Sequence, residues 1–148
     1  MNKVLSIKNS LSIISLSVLI QTPLYGESLT MLKPCPDKPN CINSEYSEDK
    51  AHYIKPLVYS AESAADIMKL VKTTLIDMEG DIVEDQADYV HAVFTSKWLK
   101  FKDDVEIRND QLSRTLHLRS ASRTGYYDFG VNRQRLESFS QQLRTRLP

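Results

Sequence analysis

The stretch that most constrains the fold is Arg119-Ser120-Ala121-Ser122-Arg123-Thr124-Gly125-Tyr126-Tyr127-Asp128-Phe129-Gly130-Val131-Asn132-Arg133. It holds three arginines and two of the chain's four glycines, where a strand-to-helix link is ordinarily short and bland. Its order predicts a strand end, a turn and a helix start. Two readings follow. In one, the helix-start N–H groups, the forks of Arg119, Arg123 and Arg133, and the hydroxyls of Ser120 and Ser122 receive an anion, with Asp128 and Asn132 shaping the corner. In the other the same residues are an internal network: Arg119 pairs with Asp104, Arg123 with Asp128, and Asn132 caps a chain end.

Periodicity around this stretch predicts the elements. Leu57–Tyr59 is a short strand that Pro56 confines to an edge or to a strand's beginning. Ala64, Ile67, Val71, Leu75 and Met78 recur at three- and four-residue steps, predicting a helix over 61–79 with Ser60 as N-cap and Gly80 as its left-handed stop. Strands follow at 81–85, 89–95, 103–108 and 114–122, and Trp98–Phe101 is a further short strand or a bulged continuation. In Asp103–Arg108, Val105 and Ile107 alternate with Asp104, Glu106 and Arg108, one apolar face and one charged. A hairpin closed around Gln111 sets Asp104 opposite Arg119, Glu106 opposite His117 and Arg108 opposite Thr115, an acidic-basic ladder. A last helix from near Val131, capped by Asp128 or Gly130, carries the stripe Leu136, Phe139, Leu143 and Leu147. Arg133, Arg135, Arg144 and Arg146 fall mostly outward. The predicted fold is α+β, a curved antiparallel sheet with helices on one side in the order β-α-β-β-β-β-α, similar to TATA-binding-protein-like or helix-grip architectures.

The first 26 residues read as a signal peptide: Lys3 and Lys8, then the apolar run Leu11–Ile20, then a cleavage region at Pro23–Gly26. The run is well short of the roughly 20 apolar residues of a spanning helix. Residues 27–50 read as an extended arm pinned by a disulfide, and 51–148 as one α+β domain. Without Lys3 and Lys8, 17 basic residues face 19 acidic ones. Every lysine lies at or before Lys102 and every arginine at or after Arg108. An arginine-rich C-terminal part suits planar carboxylate or phosphate contacts. Export argues against a nucleic-acid partner and for a place in the periplasm or cell envelope. The arginine segregation and the polar corner argue for a small anionic or amphiphilic ligand, an acidic envelope protein or a lipid head group. Cys35 and Cys41, an even pair in an exported chain, read as a disulfide. A two-thiolate metal site is the rival, without a nearby histidine to complete it.

Catalysis finds little support. Ser120 and Ser122 lack a Gly-x-Ser-x-Gly elbow, so a hydrolase using either is the weakest reading. His117 lies three residues from Ser120 and faces the other side of its strand. His52, His91 and His117 lack metal-ligand spacing. No catalytic residue, metal or cofactor is assigned.

Four ordered motifs carry a family resemblance: Cys35-Pro36-Asp37-Lys38-Pro39-Asn40-Cys41, His52 to Leu57, Asp103-Asp104-Val105-Glu106, and Arg119 to Arg133. Over about Lys33 to Leu147 the chain resembles a family known as a domain of unknown function, numbered fourteen ninety-nine. Ile42-Asn43-Ser44 stands where that family usually has Val-Ser-Ser. The resemblance implies an exported or membrane-associated bacterial setting, with relatives in plants, and implies no activity.

Overall fold

The computed structural model describes residues 31–148. The predicted signal peptide and residues 27–30 of the arm lie outside the described residues. The elements are β1 (Cys41–Asn43), β2 (Leu57–Val58), α1 (Ile67–Asp77), β3 (Asp81–Gln86), β4 (Tyr89–Thr95), β5 (Lys102–Asp110), β6 (Thr115–Ser122) and α2 (Val131–Arg144). The sheet order is β1-β6-β5-β4-β3, and β2 also pairs with β6. Every strand ladder is antiparallel. The α+β prediction holds, but Trp98–Phe101 is a turn outside the sheet and not a strand or a bulged continuation. Part of the arm, in contrast, is a strand: β1 and β2 share one edge of β6, at Arg119–Ala121 and at Thr115–Leu116. β2 pairs only with β6, the edge position that Pro56 dictates.

Alternation sorts the strands into two faces. Val90, Ala92 and Phe94 of β4, Val105 and Ile107 of β5, and Leu116 and Leu118 of β6 join the core against Ile67, Val71 and Leu75 of α1 and Leu136, Phe139 and Leu143 of α2. The opposite face carries the charged ladder, with a different pairing from the predicted one. Glu106 stands opposite Arg119, Arg108 opposite His117, and Asp104 opposite Ala121. The connection is Gln111–Arg114, with Arg114 in the left-handed region at φ 51°. The turn is therefore centred later than Gln111, and the register moves by two residues. A two-residue shift keeps every side chain on its face, so the core prediction survives while the ion-pair partners change.

The first helix starts later than predicted. Ser63, Ala64 and Asp66 donate to the carbonyls of Ser60, Ala61 and Ser63, each at 3.2 Å, so 60–66 is a series of tight turns. The Ser60 and Ser63 hydroxyls bond each other at 3.2 Å instead of capping an α-helix. At the other end, Glu79, not Gly80, is the left-handed residue, at φ 66°. Glu79 N–H donates to the Ile76 carbonyl and Gly80 N–H to that of Leu75, both at 2.9 Å, the paired bonds of a Schellman cap. Gly80 is required for another reason. A Cβ there would lie 2.7 Å from Phe94 Cζ and 2.8 Å from the Leu75 carbonyl oxygen.

The arm is part of the sheet. Ile42 enters the core, and Leu32, Cys41, Asn43 and Ser44 are buried. Ser44 N–H donates to the Leu118 carbonyl at 2.9 Å, and Leu118 N–H donates to Ser44 Oγ at 2.8 Å. The Cys35–Cys41 disulfide is formed, with its Cα atoms 5.6 Å apart. It closes a small loop at the start of β1, next to the end of β6.

Two neighbouring substitutions separate the roles at the end of α1. Gly80→Ala should lower stability by about 1–3 kcal/mol, because the Leu75 carbonyl cannot yield without breaking the cap. Glu79→Gly should raise it by up to about 1 kcal/mol by relieving the left-handed strain. Denaturant titrations of the two variants check both signs.

Candidate functional site

The predicted corner forms where β6 ends, α2 begins and the arm joins the sheet. Its centre is Asn132, fully buried in the first turn of α2. Asn132 Oδ1 accepts from Ser120 Oγ at 2.5 Å and from Arg135 Nη1 at 2.9 Å. Asn132 Nδ2 is shared among the Asn40 carbonyl at 3.0 Å, Ser122 Oγ at 2.9 Å and Asp128 Oδ2 at 2.8 Å. The Asn40 carbonyl also accepts from Ser122 N–H at 3.0 Å, and Asn40 Nδ2 donates to the Gly125 carbonyl at 2.8 Å. One amide thus ties sheet, helix and arm together.

Asp128 caps the helix, accepting from Gly130 N–H at 2.9 Å and from Asn132 N–H at 3.0 Å. Burial pushes its carboxyl up, but the N–H groups of Asn132 and Gly130 outweigh this and hold it below the usual carboxylate range. A helix-start anion is therefore already present, and it belongs to the chain. Gly125 and Gly130 turn the link, at φ 85° and 80°.

Each arginine of the stretch has a partner, and two partners differ from the predicted ones. Arg119 pairs with Glu106, not with Asp104, and both side chains are largely buried. Arg123 clasps Asp104, not Asp128: Nη2 to Oδ1 at 2.7 Å and Nε to Oδ2 at 3.0 Å. It does so from an exposed position, with 42% of its side chain accessible. Arg133 donates to the Tyr53 carbonyl at 3.0 Å. Among the described residues it has no carboxylate partner.

Arg135 is the residue that sequence reasoning placed outward and missed. Its Nη2 donates to Asp103 Oδ2 at 2.7 Å and its Nη1 to Ser120 Oγ at 3.2 Å. The guanidinium lies 5.0 Å from the centre of the Phe94 ring. The signal was Asp103 itself, which shares the parity of Val105 and Ile107. A carboxylate on the core face requires a partner, and α2 supplies one on the flank of its apolar stripe, one turn from Phe139.

On the outer face, Tyr89 Oη donates to Glu106 Oε1 at 2.9 Å and His91 Nε2 lies 2.7 Å from Asp104 Oδ1. Burial and the Glu106 carboxylate push the Tyr89 phenol up. Burial also raises the Asp104 carboxyl, but the hydrogen bonds from Arg123 and His91 leave it below the usual range. Glu45 of the arm, with no side-chain exposure, accepts from Arg108 Nε at 2.6 Å and lies 3.9 Å from His117 Nδ1. Burial, then the Arg108 charge, lowers the His117 pKa.

Chemically, most of these groups are committed; Glu45 Oε2, His117 Nδ1 and Arg119 Nε are buried without a hydrogen-bond partner among the described residues. Ser120 is fully buried with its hydroxyl in the Asn132 network, so it is not presented to a substrate. His117 lies on the opposite face of β6, as its spacing predicts. Among the described residues no group of three His, Cys, Asp or Glu side chains is arranged to hold a metal, and no helix is long and apolar enough to cross a membrane. A cavity of about 140 Å³ beside the corner is lined by Pro39, Ile42, Ala51, Tyr127, Asp128, Gly130 and Arg133.

The fold and corner define an α+β domain whose open antiparallel sheet is latched to two helices and a disulfide-closed arm. The family model described as "Protein of unknown function (DUF1499)" matches residues 31–143, and the chain belongs to that family. No curated protein matches the chain, and no solved structure does.

Arg135→Met should cost about 3–5 kcal/mol, since it leaves Asp103 buried without its counter-charge, and adding Asp103→Leu should recover much of the loss. Chemical denaturation of the single and double variants measures this. Acid should destabilise the fold in two stages. His117 has a folded pKa below its ordinary value of about 6.5, so the unfolded chain takes the proton first. Stability is then full above that value and falls as pH drops through it. Asp104 and Asp128, with lowered pKa values, contribute stability above about pH 4 that is lost as pH falls further. Melting temperatures across pH 3–8 should show both stages, and His117→Gln should remove the upper one.

Proposed function

We propose that the chain is a non-enzymatic, exported module of the cell envelope in which the Arg119–Arg133 stretch is an internal clasp. The observation that carries this reading is Asn132. It is completely buried, and both ends of its amide bond to side chains or backbone of the same chain. The Arg119 and Arg123 forks are held by Glu106 and Asp104, which supports the same reading. The disulfide, and a predicted signal peptide ahead of it, support export.

A second reading, a small anionic or amphiphilic ligand at the corner, keeps one specific support. Arg133 bonds only backbone carbonyls and lines the cavity beside Tyr127. The carboxylate of Asp128 in the same wall weighs against an anion there.

Asn132→Ala and Arg133→Gln distinguish the two when melting curves are combined with mass spectrometry of small molecules co-purifying with the protein. The clasp predicts a loss of about 2–4 kcal/mol in Asn132→Ala, since several buried polar groups lose their partner, with the same co-purifying molecules as wild type. An anion that co-purifies with wild type and disappears from Arg133→Gln without a change in melting temperature would establish the ligand reading instead.

A further inference from the structure

The sheet end where β4 stops and β5 starts carries a loop that the clasp does not use. Ser96 N–H donates to the Phe101 carbonyl at 2.9 Å, and Phe101 N–H donates to Ser96 Oγ at 2.9 Å, closing a neck. Beyond the neck Trp98 is 93% exposed and Leu99 70%. Lys97, Lys100 and Lys102 are exposed beside them, and no acidic residue lies between Ser96 and Lys102. Lys97 reaches Glu79 at 3.5 Å, an ion pair open to water on both sides that separates readily. Arg123 N–H donates to the Lys102 carbonyl at 2.9 Å, so the link from β6 to α2 leaves from the same end. That link displays Tyr126 and Phe129, both well exposed.

We propose that this loop docks the protein on an anionic membrane surface, with Trp98 and Leu99 entering the head-group layer and Lys97, Lys100 and Lys102 facing lipid phosphates. The inference goes beyond the clasp and does not depend on it. An aromatic and a leucine held out at a pinned tip lose exposed apolar area only when something closes around them. Tryptophan's amphipathic ring favours the membrane–water interface. The charges are lysines, compact and freely rotating, which suit disordered phosphates better than a fixed carboxylate partner. The tip is a short loop closed at the Ser96–Phe101 neck, whereas a protein partner ordinarily needs about 800 Å² of complementary surface on each side. A fluid head-group layer moulds itself to such a tip.

Trp98 is the chain's one tryptophan, so its emission reports on this loop whatever the N-terminal segment does. The experiment uses the full chain with its disulfide intact. It compares vesicles of phosphatidylglycerol mixed with phosphatidylcholine against vesicles of phosphatidylcholine alone, each with and without brominated acyl chains. The expected result is a blue shift and bromine quenching of Trp98 with the anionic vesicles. The combined Lys97→Gln, Lys100→Gln and Lys102→Gln variant should weaken partitioning roughly hundredfold. Leu99→Ser should weaken it while leaving the emission in buffer unchanged. Emission that ignores anionic vesicles, or an equal shift in the lysine variant, would overturn the proposal. So would a blue shift produced by soluble envelope protein and not by vesicles, which would assign the loop to a protein partner.

Discussion

The structure depends on one buried amide. Asn132 sits where the edge of the sheet, the first turn of α2 and the arm meet, beside the buried Ser120 hydroxyl, the buried Asn40 and the half-buried Asp128 carboxylate. An amide offers an acceptor and two donors on one rigid plane, so it serves the Ser120 hydroxyl on one side and the Asn40 carbonyl and Asp128 carboxylate on the other. Aspartate would lose the donors and leucine would lose both, leaving buried groups unpaired at the full desolvation penalty. The dependence runs outward from there. Asp128 can cap α2 because Asn132 holds it, and Asn40 can grip the Gly125 turn because its own carbonyl is fixed by Asn132 and Ser122. The disulfide one residue further on then closes the arm against an edge that is already set.

The separation of lysine from arginine along the chain has a physical counterpart in space. Arg108, Arg119, Arg123, Arg135 and Arg146 each meet a carboxylate. Three of these pairs, Arg108–Glu45, Arg119–Glu106 and Arg135–Asp103, are largely buried. The partly exposed Arg123 meets both oxygens of Asp104 with its planar fork, which a single ammonium does not match. The lysines of the described residues are exposed or, for Lys72, half-exposed. Three of them surround the bare apolar tip between β4 and β5. Arginine holds this fold together and lysine decorates its surface. The near-zero formal charge conceals that division.

Much of the fold was legible because its signals are local and periodic. The alternation in Asp103–Arg108, the helical spacing through Val71 and Leu75, and Pro56 at the edge each determine a face or a position without reference to distant residues. What was not legible depends on partners brought in from afar. β1 is three residues of ordinary composition that become a strand only because the edge of β6 is free beside them. The hairpin register turned on a left-handed Arg114, a conformation that no residue type announces there. Gly80 was read as a conformational stop, but its constraint is the ring of Phe94, fourteen positions away. At the corner, two arginines were mispaired for different reasons: Arg119 through the two-residue slip, and Arg123 because its partner is Asp104 across the hairpin and not Asp128 further along its own link. Arg135 looked outward on its helix because Asp103, its reason for turning inward, lies on another element.

The most direct measurement of the clasp is native-state amide hydrogen exchange on wild type and Asn132→Ser. If Asn132 holds arm, sheet edge and helix start together, protection should fall selectively at the amides it organises: Ser122, Ser44, Gln134 and the first turn of α2. Amides of the β4–β5 ladder, such as Ala92 and Val105, should lose only what the drop in global stability takes from them. A uniform loss across the sheet, with no excess at the arm and the start of α2, would contradict the account.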